Sequence, residues 1–506
     1  MRARSLGLAA LTVAAAVAGC GGVDEPKSRA TRTYNAEWRL PNADTSNTRR
    51  VGGPIDASSV RRLRVAWRVP IDRIVSNPVV ARGVVYVQDL NSNVTAIGLR
   101  SGRELWTHFF EQPTIGPNGV AVEGDRVYGA TLTEAFAQQT RTGRVLWRRR
   151  LVRNEHEGID MAPGLWRGAV YVSTVPANPR ITYGPGARGT LWALDAGTGR
   201  PRWRWMTVPR DLWGRPDVNS GGGLWYPPAF DDDGQLFAGV GNPGPYAGTP
   251  RYPWGSSRPG PNRWTNSLVK LDAQTGHFTW GRQVLPHDMY DWDLECPPIL
   301  TQAGGRPLVV VAGKMGFVYA FDRVSGRLVW KRAVGLHNGH DDDGRKTMSG
   351  GNGGLRSGER ILPGELGGVE TPMAVDNDTV YVPVENLASI HTGVGAGETE
   401  SLLDKGAGEL VALDLASGRV KWDRRLPESA WGGVVVVNDL VFTPTYEGTL
   451  WALRAADGTV AWRARLPAGV DAPLAVVGDT LIAAAGEPLE IRQTANVVAY
   501  RLAGDG

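Results

Sequence analysis

Short apolar or alternating runs, each broken by its own turn, recur along the chain: NPVVARGVVYVQD (77–89), GVAVEGDRVYGAT (119–131) and GGVVVVNDLVFTPT (432–445). Runs of this length and alternation read as pairs of β-strands. Beside them, seven segments share one pattern: AIGLRSGRELW, AQQTRTGRVLW, ALDAGTGRPRW, KLDAQTGHFTW, AFDRVSGRLVW, ALDLASGRVKW and ALRAADGTVAW. They end at Trp106, Trp147, Trp203, Trp280, Trp330, Trp422 and Trp462, and in each a Gly stands four residues before the Trp. Gly accepts the positive φ of a tight hairpin turn, so each segment predicts strand, turn, strand. Trp106 and Trp147, like Trp422 and Trp462, are about 40 residues apart, the length of a four-stranded propeller blade. The C-terminal runs APLAVVGDTLIAAAG and NVVAYRL lack a closing Gly and Trp, whereas VRRLRVAWRVP near the start offers Trp67 without preceding strands. Together they predict an all-β, eight-bladed β-propeller over 37–506, its last blade closed by the N-terminal strand.

Composition supports this picture: 66 Gly and 34 Pro suit many short strands joined by turns. The net charge of +5 comes from Arg scattered singly, without the dense basic runs of a nucleic-acid-binding chain. The opening MRARSLGLAALTVAAAVAGCGG has basic residues, then an apolar run too short to span a bilayer, then small residues before Cys20. It reads as an export signal over 1–19 followed by a polar tether over 20–36. With Cys20 set aside, only Cys296 is left, so no intramolecular disulfide is expected.

Three stretches carry candidate chemistry. PHDMYDWDLECP (286–297) concentrates acid, and if it is extended, Asp291, Asp293 and Glu295 share one face. Such a face is solvated, neutralised by a cation, or holds a shifted pKa. GLHNGHDDDGRKTMSGGNGG, with His337, His340 and Asp341 to Asp343, is a metal site or a solvated turn. That loop and the insertion NPGPYAGTPRYPWGSSRPGPNRW (242–264) are expected to rim one mouth of the propeller.

The Trp-bearing repeats resemble the tryptophan-docking motifs of the pyrroloquinoline quinone (PQQ) dehydrogenase propellers, over essentially the whole chain after about residue 36. The string Val17-Ala18-Gly19-Cys20 resembles a bacterial lipobox, which implies lipidation of Cys20 and anchoring at the extracytoplasmic face of the cell membrane. In SGGGLWYPPAF and the Gly-Asn-Pro that follows, the alcohol dehydrogenase branch implies that Trp225 stacks under the quinone and that Asn242 coordinates a metal. The Pro-His-Asp string implies Asp291 as general base and metal ligand, and Asp293 as a further carboxylate resembling the lanthanide-using members. Lys314 and Trp431 fall where the family contacts its quinone. The resemblance therefore implies PQQ, Ca²⁺ or a lanthanide, an alcohol-type substrate and, with no Cys-x-x-Cys-His string in the chain, a separate electron acceptor.

The chain also departs from the family. Val75 replaces a quinone-contacting Glu, Asn118 an Arg, Asp160 a Thr and Gly184 a metal-binding Glu, and the adjacent cysteine pair is missing. Two readings result: a membrane-anchored quinoprotein oxidoreductase of alcohols, or a non-catalytic propeller lipoprotein that binds an envelope protein as a scaffold. Carboxylates converging beside Trp225 favour the first, and Asp291 and Asp293 pointing to solvent the second.

Overall fold

A computed structural model describes residues 36–71, 73–394, 400–401, 406–487, 489 and 493–504. The export signal, Cys20 and all of the tether but its last residue lie outside the described residues. The described residues form one compact unit. Eight blades of four antiparallel strands surround a central channel, and Arg50–Val51 adds a fifth strand, in parallel, to the seventh. Seven use consecutive segments, with first strands at Val79–Ala81, Ala121–Glu123, Gly164–Trp166, Ala229–Phe230, Ile299–Ala303, Ala374–Asp376 and Val435–Val437. The eighth combines Ala475–Val477, Thr480–Ala485 and Asn496–Leu502 with the N-terminal strand Leu63–Pro70, in the register Leu63↔Leu502 to Pro70↔Asn496. Split closure is thus as the sequence predicts.

The repeated Gly and Trp meet between blades. A β-carbon on Gly143 would lie 2.5 Å from Trp106, and one on Gly199 2.5 Å from Trp147. The Trp106 indole N–H donates to Thr140 O at 2.9 Å and that of Trp147 to Ala196 O at 3.0 Å. Both lie on the turn glycine of the following blade, and the same contact joins Trp67 to Gly102, Trp203 to Gly276, Trp330 to Gly418 and Trp422 to Gly458, while Trp462 packs on Tyr500 instead. Because Gly199 also has φ of 67°, Gly199→Ala combines backbone strain with a displaced indole. It should cost about 2–4 kcal/mol in a denaturant melt.

Residues 38–49 close one end of the channel. Carbonyls of Trp38, Arg39, Thr45, Ser46, Thr48 and Arg49 accept from Val80, Val122, Phe230, Leu300, Val375 and Val436, which belong to the inner strands of six blades. Buried Arg49 is the peg, donating to Val434 O, Pro41 O and Leu474 O and to the side-chain oxygens of Asn42 and Asn77. With this end sealed, the opposite mouth is the one left for a site.

Both predicted mouth insertions lie there and touch. Gly260 N donates to Met348 O at 2.7 Å, Trp254 N to Gly393 O at 2.9 Å, and the Tyr246 hydroxyl to Glu365 at 2.9 Å. The acidic loop is held by internal ion pairs, His337 with Asp341 and His340 and Lys346 with Asp343. Among the described residues no group of three or more His, Cys, Asp or Glu side chains is gathered to hold a metal.

Candidate active site

The segment 286–297 forms no strand: it bends over 286–290 and then runs as irregular backbone, so the condition that its acids share a strand face does not apply. Asp288 causes this: its carboxylate accepts from the backbone N–H of Tyr290 at 2.8 Å and Trp292 at 2.7 Å. Arg258 of the first insertion ties the segment down by donating to Asp288 O at 2.6 Å. Asp291 takes φ of 61°. Irregular backbone nevertheless brings Asp291, Asp293 and Glu295 together at one cation.

That cation is Lys314, at the end of the strand Arg306–Gly313. Its Nζ lies 2.9 Å from Asp291 Oδ2, 3.2 Å from Asp293 Oδ2, 4.0 Å from Glu295 Oε1 and 3.9 Å from Glu370 Oε1. Two glycines permit the convergence. A β-carbon on Gly313 would lie 1.9 Å from Asp293 O, and one on Gly241 2.2 Å from Asp293 Oδ1. Asp293 Oδ1 also accepts from Asn242 N at 2.6 Å. On the other side of Asp291, Oδ1 accepts from Asn242 Nδ2 and from the Tyr183 hydroxyl, both at 2.7 Å. The Tyr183 hydroxyl oxygen also lies 2.5 Å from Asn242 Oδ1, so its one proton is shared between the two acceptors. Asp291 is thereby aimed by three donors.

A cavity of about 280 Å³ opens over this network, lined among others by Trp225, Tyr226, Asp291, Glu295, Lys314, Glu370, Trp431 and Asp471. Of the residues singled out by sequence, Trp225, Asp291, Lys314 and Trp431 line it, while Asn242 and Asp293 touch Asp291 and Lys314 from beside it. Val75 lines it too; Asn118 instead donates to Asp89 O and Thr114. Gly184 packs on His156, and Asp160 accepts from Ile115 N and Gly116 N next to Trp225.

Sequence reasoning passed over Tyr183, Tyr226, Glu370 and Asp471, although a signal for two of them was present. The residue four before the first strand of each blade is Val75, Pro117, Asp160, Trp225, Glu295, Glu370, Trp431 and Asp471 in turn. All of these but Asp160 line the cavity. Reading that one position across the repeats would have given the ring directly.

Burial dominates the electrostatics. It raises Asp160 to about 6 and, against the pull of Lys314, Asp293 and Glu370 to about 7; Glu295 and Asp471 are pushed well above the carboxylate range. Burial opposes the Lys314 ammonium, but Asp291, Glu295, Asp293 and Glu370 outweigh it and hold its pKa above the ordinary value. Burial, with Asp291 and Asp293, keeps the Tyr183 phenol protonated and so a donor. A carboxyl raised in the folded state binds its proton more tightly there than when unfolded. The contribution of Glu370 is thus fully present below about 4.5 and lost as pH rises through about 7. Thermal melts should show stability falling from pH 5 to pH 8, and Glu370→Gln should flatten that slope.

Two family models match the chain: "Glucose/ethanol/alcohol dehydrogenase, beta-propeller domain" over 141–334, and "Outer membrane protein assembly factor BamB" over 63–178 and 265–505. Quinohemoprotein alcohol dehydrogenase ADH IIB of Pseudomonas putida is 28% identical, over 89% of this chain and 72% of its own. The structure of quinohemoprotein alcohol dehydrogenase from Comamonas testosteroni superposes with a TM-score of 0.80 at 24% identity, covering 94% of this chain and 82% of that one. A europium-containing methanol dehydrogenase superposes at 0.77 with 20% identity, covering 92% and 98%. Blade count and docking tryptophans agree with these matches: the chain belongs to the propeller family whose model, "Outer membrane protein assembly factor BamB", spans more than half of it, and it is similar to the quinoprotein alcohol dehydrogenases over most of its length.

Proposed function

We propose that this chain is an extracytoplasmic, membrane-anchored oxidoreductase of the quinoprotein type that oxidises an alcohol or related small substrate. The observation that carries this is the Asp291 carboxylate, presented at the cavity by Tyr183, Asn242 and Lys314. A scaffold would gain nothing from two buried and two half-buried carboxylates gathered with one ammonium at an open cavity, an arrangement that costs desolvation.

The residues present fit a flat, polar quinone. Trp225 and Trp431 provide aromatic walls, and Lys314 provides a cation. The buried Trp431 indole N–H, a donor, has no hydrogen-bond partner within the protein, which asks for an acceptor on a ligand. When bound, PQQ supplies the two-electron acceptor for the carbinol hydride. Trp225 and Trp431 would flank it, with Lys314 in reach of an oxygen. Asp291 takes the hydroxyl proton, so the substrate leaves as its carbonyl and the electrons pass to a separate acceptor. For a metal, Asn242, Asp291 and Asp293 do come together, but the Tyr183 hydroxyl and Lys314 already hold their oxygens. No step here is routed through a metal.

Export and lipidation at Cys20 complete the proposal, supported by the basic, apolar and small-residue order of 1–20. The activity is tested by adding PQQ to the purified protein, with Ca²⁺, La³⁺ or neither, and following alcohol-dependent reduction of an artificial acceptor. Turnover supports the reading. No PQQ binding under any of these conditions overturns it and favours the binding-propeller reading, which the loss of the family's contacts at Val75 and Asn118 supports.

A further inference from the structure

The resemblance implies a metal held by Asn242, Asp291 and Asp293, yet each of their side-chain oxygens already faces a donor of the protein. Asn242 Oδ1 faces the Tyr183 hydroxyl at 2.5 Å. Asp291 Oδ1 faces that hydroxyl and the Asn242 amide N–H, both at 2.7 Å, and its Oδ2 takes the Lys314 ammonium at 2.9 Å. Asp293 Oδ1 accepts from Asn242 N at 2.6 Å, and its Oδ2 faces Lys314 at 3.2 Å. Asn242 thus turns an N–H toward Asp291, the reverse of two oxygens sharing a cation.

Tyr183 is built into this place. Its φ of 57° lies in the left-handed region, where a bulky side chain is held only if its surroundings fix it. Its N–H donates to Pro176 O at 2.7 Å. The next residue faces the other way: a β-carbon on Gly184 would lie 2.5 Å from His156, so a carboxylate there would meet His156 before any ligand. The Tyr183 ring is wedged between Gly244, whose β-carbon would lie 2.5 Å from it, and Tyr246, edge-on at 5.6 Å between centroids. Swinging the hydroxyl aside would drive the ring into these neighbours.

A hard cation takes about six or more oxygens at about 2.3–2.6 Å. A hydroxyl at hydrogen-bond distance from both Asn242 Oδ1 and Asp291 Oδ1 stands where such an ion would touch them. The ammonium on Asp291 Oδ2 and Asp293 Oδ2 would repel it as well. We infer that the Tyr183 hydroxyl takes the place of the metal ion, so that this chain holds its quinone without one, with Lys314 supplying the positive charge. The inference deepens the oxidation reading and rests on it for the quinone alone.

Sensitised Tb³⁺ luminescence is recorded on the purified, chelator-treated full chain without PQQ, and PQQ affinity is then measured by calorimetry in EDTA, CaCl₂ or LaCl₃. The protein should show no saturable Tb³⁺ signal and the same PQQ affinity, within about twofold, in every buffer. Tyr183→Glu, which puts a carboxylate in the hydroxyl's stead, should gain a Tb³⁺ signal and bind PQQ at least about tenfold more tightly in LaCl₃ than in EDTA. A Tb³⁺ signal from the unaltered protein that Asn242→Ala abolishes overturns the inference. So does PQQ binding tightened about tenfold by either ion, or a folded Tyr183→Glu that gains neither property. Should that variant fail to fold, the measurements on the unaltered protein decide alone. If PQQ binds in no buffer, the oxidation reading falls while the Tb³⁺ titration still decides this one; alcohol turnover that requires Ca²⁺ or La³⁺ does the reverse.

Discussion

Asp291→Asn is expected to lower alcohol turnover at least about 100-fold, the contribution of a positioned general base. The substitution keeps the shape of the side chain but removes its capacity to take the substrate proton. It also disturbs the aim. The carboxylate accepts from Tyr183 and Asn242 at one oxygen and from Lys314 at the other, whereas an amide can accept at one end only. The melting temperature should therefore shift modestly while turnover collapses, and measuring both separates catalysis from folding. Unchanged turnover would remove Asp291 from the mechanism and with it the chemical reading of the segment 286–297.

Lys314→Met is expected to have the largest effect on stability. The ammonium is 7% exposed and stands within 4.0 Å of four carboxylates, those of Asp291, Asp293, Glu295 and Glu370. Removing one partner of a buried charge cluster leaves the others uncompensated, at about 3–5 kcal/mol. The loss should depend on pH. At pH 5, Asp293 and Glu370, both raised to about 7, carry protons and need the ammonium less; at pH 8 they are ionised. Denaturant melts at the two values check this. An equal loss at both would mean that Lys314 contributes packing rather than charge.

The same two residues show how far the sequence was legible. Asp291 and Lys314 were singled out by their order in recognisable strings; the three acids Asp291, Asp293 and Glu295, which an extended segment would put on one face, do converge, but on irregular backbone. Asp288 bends the backbone, and the carboxylates meet because Gly241 and Gly313 let neighbouring strands approach Asp293. Tyr183 escaped notice because the position compared with the family's Glu was its neighbour Gly184, and nothing local tells which of two adjacent residues faces a channel.

The sequence by itself determined the number of blades, the Trp on each outer strand and the pairing of the two chain ends. All three follow from local periodicity and from a repeat that cannot bury its apolar face alone. Only the tertiary structure decided which acids converge, that Lys314 is the cation they share, and that residues 38–49 seal one end of the channel so the site lies at the other. Those outcomes depend on residues far apart in the chain meeting, as Arg49 meets Leu474 425 positions on, and on the burial that such meetings create. Periodicity in a chain records which face of a strand is covered, but not which charges are covered together.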